Sequence, residues 1–395
     1  GILDREDIAI IIIIVAFGVG FLAFKGVPIL EKPGATTLAQ QGAEQKLTND
    51  VIVVFKGRGM AQSREAYVQS RVRALKNYGF TTRWSIPRFS MASGEIPSDR
   101  MDDILQINGV WGIARDWITK VGGPVQGSAG AEALTLDQVK KRLNIEKLWR
   151  KESKGENITV GIIDSGVDKI PTINLTARYT VRGGVKDQFG HGTAIAYIYS
   201  RLAPKADIVS IKALGSMGTG RSSDVIKAMS LVADLPPKKR PDVLNLSLGV
   251  PPATFSPMAM AADMLDTRYG ITVVTAAGNL GPAQNTVMAP ATGDETIAVS
   301  AITSENEIAT YSSRGPQVDV CSYGNVYTLW QGRIQAIQGT SVAAPIVGAQ
   351  IADYLGAVGA PQTGGGGVLP TSFITDGAKN YNDRRIVALS AEDLG

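Results

Sequence analysis

The chain has 395 residues, with 40 Lys and Arg against 36 Asp and Glu, a formal net charge of +4, one histidine and one cysteine. That length holds one large domain and a smaller one, and the scattered, weak positive charge excludes the basic stripe expected of a nucleic-acid binder. A single Cys321 excludes an internal disulfide framework and a cysteine-based zinc site, and with one histidine besides, soft-ligand metal chemistry is excluded too. The neighbours Val318, Val320 and Tyr323 point to a buried, inert thiol.

Residues 8–24 carry no charge, and at about 1.5 Å per residue such a run reaches the lower limit for crossing a bilayer, with 27–30 able to extend it. Acidic Asp4, Glu6 and Asp7 precede it and no A-x-A site follows promptly, which favours an uncleaved anchor over a signal peptide. The expectation is a tail and transmembrane helix over 1–30 that meets the lipid bilayer through 8–30, then a polar linker over 31–48. The flanking charges are too few to orient it.

Residues 49–121 alternate in the order β-α-β-β-α-β. Strand-like VIVVFKG leads to a helical run from Arg64, strands around TTRWSI and RFSMASGEI follow, then a helix opened by Ser98 as N-cap, and VWGIARDWI closes as one last strand. This is the pattern of a small ferredoxin-like α+β unit. A Gly/Ser/Ala-rich linker follows over 122–134.

Over 135–360, buried-type strands ITVGIID, ADIVSIKAL, DVLNLSLG, ITVVTAAGN and TIAVSAI alternate with helices starting near Thr193, Ser223, Ser256 and Ser341. Continuous apolar strands separated by helices predict a mostly parallel sheet covered on both faces. Lys238-Lys239-Arg240, set between prolines, reads as a solvated loop, and 361–395 as a glycine-containing tail.

Ligands of an open parallel sheet collect outside the carboxyl ends of its strands. There the sequence puts Asp164 at one strand tip and Asn279 beyond another, with His191 between two glycines ahead of a helix and Ser341 at a helix start with Pro345 in its first turn. Singly these are a turn residue, a turn asparagine, a core histidine and an N-cap. Together they supply a nucleophile, its only available base, a carboxylate to fix the base's tautomer, and an oxyanion donor. One Asp-Ser-Gly in a helix-rich chain cannot make an aspartic-protease dyad.

The order Asp, His, Ser is that of the subtilisin-type triad. VGIIDSGVD, GHGTAIA, NLSLG, TAAGN and GTSVAAP resemble, in family order, the signature blocks of subtilisin-like serine proteases over roughly 135–360. The resemblance implies a three-layer α/β catalytic domain with Ser341 as nucleophile, His191 as base, Asp164 as orienting carboxylate, and Asn279 with the Ser341 N–H as oxyanion hole. It implies substrate binding along Ser247-Leu248-Gly249, an edge strand, and Ala276-Ala277-Gly278. None of these is acidic, so an apolar or uncharged side chain is expected before the scissile bond.

It further implies that 49–121 is an inhibitory propeptide acting in cis, self-processed within the following glycine-rich piece. The expected whole is a membrane-anchored, single-pass endopeptidase zymogen with an extracellular catalytic domain, polypeptide substrates and no catalytic cofactor or metal. Calcium sites are common in the family, yet no ligand set maps onto this chain. Ile346 stands where the family has a histidine, and Cys321–Gly324 where it has a proline-containing turn. The competing expectation is a catalytically silent scaffold on the same fold.

Overall fold

A computed structural model of the chain describes residues 48–57, 63–124, 132–150 and 153–358, together with two strands, 378–381 and 384–387. The expected membrane anchor, the first linker and most of the tail lie outside these residues. Among the described residues no helix is long and apolar enough to cross a membrane.

The first part runs β1 (Thr48–Phe55), α1 (Arg64–Lys76), β2 (Thr81–Ile86), β3 (Met91–Pro97), α2 (Met101–Leu105) and β4 (Val110–Arg115). Its four strands form one sheet in the order β2-β3-β1-β4, with β1 antiparallel to both neighbours. The apolar run at β1 shows what this sheet needs. Val51, Val53 and Phe55 pack with Val68, Val72 and Leu75 of α1 in one core, while Ile52 and Val54 join a second core on the opposite face. A strand apolar on both faces requires cover on both.

Two details depart from the sequence reading. Ser98 does not cap α2: it starts a short 3-10 turn and its hydroxyl accepts from Asn49 Nδ2 at 3.0 Å. VWGIARDWI is not one strand either, because it breaks at Asp116–Trp117 and resumes as β5 (Ile118–Lys120). The Asp116 N–H still donates to Asp50 O of β1 at 2.9 Å, while its carboxylate turns to the donors of Ser222 and Ser223.

The remainder runs α3 (Leu136–Arg142), α4 (Ile145–Arg150), β6 (Thr159–Asp164), β7 (Leu175–Thr180), α5 (His191–Leu202), β8 (Asp207–Lys212), β9 (Thr219–Arg221), α6 (Ser222–Asp234), β10 (Val243–Leu246), α7 (Pro257–Tyr269), β11 (Thr272–Ala276), β12 (Ile297–Ile302), β13 (Val320–Tyr323), β14 (Asn325–Trp330), β15 (Arg333–Gln338), α8 (Thr340–Val358), β16 (Ala378–Tyr381) and β17 (Arg384–Val387). The main sheet has the order β16-β17-β13-β12-β11-β10-β6-β8-β7. All pairings within it are parallel except β16–β17. A largely parallel α/β sheet is therefore what the apolar strands predicted.

Adjacent residues of each strand face opposite layers. Val160, Ile162, Val243 and Val274 pack in one core with α5 and α8. Ile163, Leu244 and Val273 pack in the other with α6 and α7, and this second core also takes Ile52, Val54, Ile86, Phe89 and Met91 of the first part. The small sheet's second face is thus covered by α6 and α7, within one compact unit of Thr48–Gly395. Cys321 is buried as expected. The sequence reading missed β7, β13 and the β14–β15 hairpin, whose two-residue turn places Gln331 at φ 47° and Gly332 at φ 80°.

Candidate active site

Asp164 ends β6, and His191 opens α5. His191 Nδ1 lies 2.8 Å from Asp164 Oδ2 and 3.0 Å from Oδ1, with both side chains 1% exposed. With a carboxylate on Nδ1, the imidazole carries its proton there and presents Nε2 as a base. Nε2 is buried with no hydrogen-bond partner among the described residues.

The flanking glycines have separate causes. Gly190 has φ 109°, a backbone region that disfavours any side chain. A Cβ on Gly192 would stand 2.0 Å from the Gly166 carbonyl oxygen, so only glycine lets the α5 start approach the loop after Asp164.

Ser341 is the second residue of α8. Pro345 lies in the second turn of that helix, not the first, and its missing N–H leaves the Ser341 carbonyl without the usual acceptor role. Ser247 supplies the substitute, donating its hydroxyl to Ser341 O at 2.7 Å. The link continues inward: Asn245 Nδ2 donates to Ser247 Oγ at 2.8 Å, and Tyr199 OH to Asn245 Oδ1 at 3.2 Å. Tyr199 sits in α5, so a buried chain of bonds joins the histidine helix to the serine. Burial pushes the Tyr199 phenol far up, which keeps it a donor. Tyr199 and Asn245 escaped the sequence reading, and the signal that could have found them is Asn245, the one polar residue in the apolar strand Val243–Leu246.

Asn279 follows β11, and its Oδ1 accepts from Thr340 N at 2.9 Å and Thr340 Oγ1 at 3.0 Å. With the oxygen so occupied, the amide Nδ2 is the free donor. A Cβ built on Gly339 would lie 3.1 Å from Asn279 Nδ2 and 3.2 Å from Ser341 Oγ, so both atoms border one small space. The Ser341 N–H belongs to the first turn of a helix, where amides lack intrahelical partners. Ser341 Oγ and His191 Nε2 share no hydrogen bond in this state; such contacts commonly tighten only with substrate in place.

The predicted binding residues separate into two sides of a groove. Ser247, Leu248 and Gly249 follow β10 without strand pairing within the described residues. Thr119 Oγ1 of β5 donates to Gly249 O at 2.7 Å. Ala276 and Ala277 are buried, and Gly278 has φ 108°. Met288 wedges between the two sides, since a Cβ on Gly278 would meet its Sδ at 2.6 Å and one on Gly249 its Cβ at 3.1 Å.

An aspartate–histidine pair at strand and helix tips, a helix-start serine and an adjacent amide donor, on a parallel α/β sheet, are the arrangement of the serine hydrolase class. The chain belongs to the Subtilase family, whose profile matches residues 155–360; that is a family of serine endopeptidases, whose catalysis needs no cofactor. It is 32% identical over 224 residues to Subtilisin DY of Bacillus licheniformis, covering 52% of this chain and 79% of that protein. It is 29% identical over 226 residues to Minor extracellular protease Epr of Bacillus subtilis (strain 168), covering 53% of this chain but only 34% of that protein. A Cuticle-degrading serine protease of Arthrobotrys oligospora is 26% identical over 351 residues, 81% of this chain and 84% of that one. Calcium is structural in subtilisins; among the described residues no group of three or more His, Cys, Asp or Glu stands where it could hold a metal ion.

Proposed function

We propose that the chain is the zymogen of a subtilisin-like endopeptidase, in which residues 49–121 are a propeptide that blocks the groove until the enzyme cuts its own chain. In the reaction, His191 Nε2 takes the proton of Ser341 Oγ as that oxygen bonds to the scissile carbonyl carbon. Asn279 Nδ2 and the Ser341 N–H stabilise the resulting oxyanion. Collapse breaks the C–N bond, His191 returns the proton to the leaving amine, and water later releases the acyl group by the same path.

The observation that carries this reading is the course of β5. It pairs antiparallel with β9, Thr119 opposite Gly220, and the ladder continues with Val121 N donating to Gly218 O at 3.0 Å. Thr119 and Val121 are buried while Ile118 and Lys120 are exposed, the alternation of an added strand. Beyond it Gly122 is exposed, and a Cβ on Gly123 would lie 3.5 Å from Trp330. The Trp330 ring stands edge-on to His191 at 6.3 Å. This course supports a segment that lies against the binding side as an extended substrate would, and the Gly122–Gly123 bond is proposed as the one cut. The similarity to the Arthrobotrys protein is long enough to begin within or before the small sheet unit, which favours a shared two-part architecture.

Met288 and the uncharged groove favour an apolar or uncharged residue before the cut. The membrane anchor over 8–30 and an extracellular catalytic domain remain part of this proposal, on the uncharged N-terminal run alone.

The test is processing. The Ser341→Ala and His191→Ala proteins should stay full length in a host lacking other proteases, and the wild type should yield a mature chain starting at Gly123. Full processing of Ser341→Ala, or no labelling of Ser341 by a fluorophosphonate after propeptide removal, overturns the reading. A mature start within 125–131 moves the cut but keeps the mechanism.

A further inference from the structure

Two buried ionisable side chains take no part in the steps above yet lie beside them. Asp187 stands four residues before His191, and Lys212 closes β8 in register with Asp164. Neither was legible as functional from the sequence, although a lysine ending an apolar strand is unusual. Both are almost wholly buried, Asp187 at 6% and Lys212 at 2% exposure.

Asp187 accepts from both sides of the dyad. Its Oδ1 takes hydrogen bonds from Ser165 Oγ at 2.9 Å, Phe189 N at 3.1 Å and Gly190 N at 2.7 Å. Its Oδ2 takes Thr193 N at 2.9 Å and Thr193 Oγ1 at 2.6 Å. Ser165 Oγ in turn accepts from Gly192 N at 3.0 Å. Lys212 Nζ donates to Ser165 O at 2.7 Å and Lys186 O at 2.8 Å. Every one of these bonds ends on the residue after Asp164 or on the turn that delivers His191. Buried charges serving stability alone would have no reason to divide their bonds between those two segments.

We propose that Asp187 and Lys212 are positioning residues, a charged clamp that holds the Asp164 loop against the start of the His191 helix and sets how readily the imidazole takes a proton. The charged groups facing Lys212 are Asp187, Asp168, Asp164 and Arg182. Burial pushes the lysine below its ordinary range, and the three carboxylates oppose that push. Asp168 also ties in, its Oδ1 accepting from Asp187 N at 3.2 Å.

The clamp rests on His191 as the base, and the single histidine of the chain allows a test that needs no activity. In the full-length Ser341→Ala protein, ¹⁵N-labelled histidine gives one imidazole titration. Lys212→Met removes a cation and should raise its midpoint by about half a pH unit or more; Asp187→Asn removes an anion and should lower it by a similar amount. With Ser341 restored, each variant should lose about tenfold in kcat with KM within twofold, as expected when a proton-transfer geometry degrades while substrate binding persists. The acid limb of the rate profile should move with the midpoint.

Midpoints that stay within about 0.1 unit of the parent, or that move in the same direction in both variants, overturn the clamp, since shared loosening has no sign. If either variant lacks a cooperative unfolding transition, Lys212→Arg carries the test. It keeps the charge and changes the reach, so kcat should fall with the midpoint unmoved, and a parent-like kcat overturns the proposal. Retained hydrolysis in His191→Ala would instead sink the base assignment, leaving the titration result intact.

Discussion

At the residue scale, Ser247 has an unexpected task. Sequence assigned it to substrate binding, whereas the structure has its hydroxyl filling the bond that Pro345 denies to the Ser341 carbonyl. Ser247→Ala leaves that buried acceptor unmet, a loss of roughly 1–3 kcal/mol, so thermal unfolding should fall by several degrees and kcat should drop with it. Asn279→Ala should lower kcat about 10² to 10³ fold with little change in KM, the loss known for removing this oxyanion donor in subtilisin. A separate residue gives a stability prediction. Asp266 is pushed up to about 6, first by burial and then by the Glu295 and Asp263 charges. The folded state therefore holds this proton over a pH range where the unfolded chain has released it. Its stabilising contribution is full below the ordinary carboxylate range and is lost as pH rises through about 6. Asp266→Asn should flatten the melting temperature across that window and raise it at pH 7 and above.

At the element scale, the interruption of the predicted last strand is informative. Asp116, where the strand breaks, takes Ser223 N at 2.9 Å, Ser223 Oγ at 2.6 Å and Ser222 Oγ at 3.1 Å, supplying the N-terminus of α6 with a carboxylate from the small unit. Arg83 reaches the same carboxylate at 3.2 Å, and Trp84 Nε1 donates to Asp224 at 3.0 Å. Asp116→Ala should weaken the hold of the small unit about tenfold, shortening the lag before activity appears after processing; an unchanged lag with intact folding counts against it. Sequence could show that strands and helices alternate and which residues stand at their tips, because apolar periodicity and the Asp-His-Ser order are local facts. It could not show where a strand stops to answer a helix distant in sequence. The Tyr199–Asn245–Ser247 chain was likewise hidden, as its members lie on separate elements and become neighbours only when the sheet and α5 pack.

At the scale of the whole molecule, one core joins Ile52 and Val54 of the small sheet to the helices behind the large one, and β5 runs on to pair with β9 while Thr119 bonds to Gly249 O. The two attachments differ in kind. In the proposed zymogen, the blocking strand is tethered while the Gly122–Gly123 peptide bond is intact and would sit at an effective concentration of the order of millimolar, so dilution should not dislodge it. Once that bond is cut, the same contacts become those of an ordinary bimolecular complex. Release then depends on how much protein is present: a processed sample should gain specific activity on dilution and lose it on concentration, whereas unprocessed protein should do neither. On the proposed reading, the blocking strand would make activation a matter of protein density as well as of chemistry, with crowded enzyme held back by its own severed segment and sparse enzyme set free.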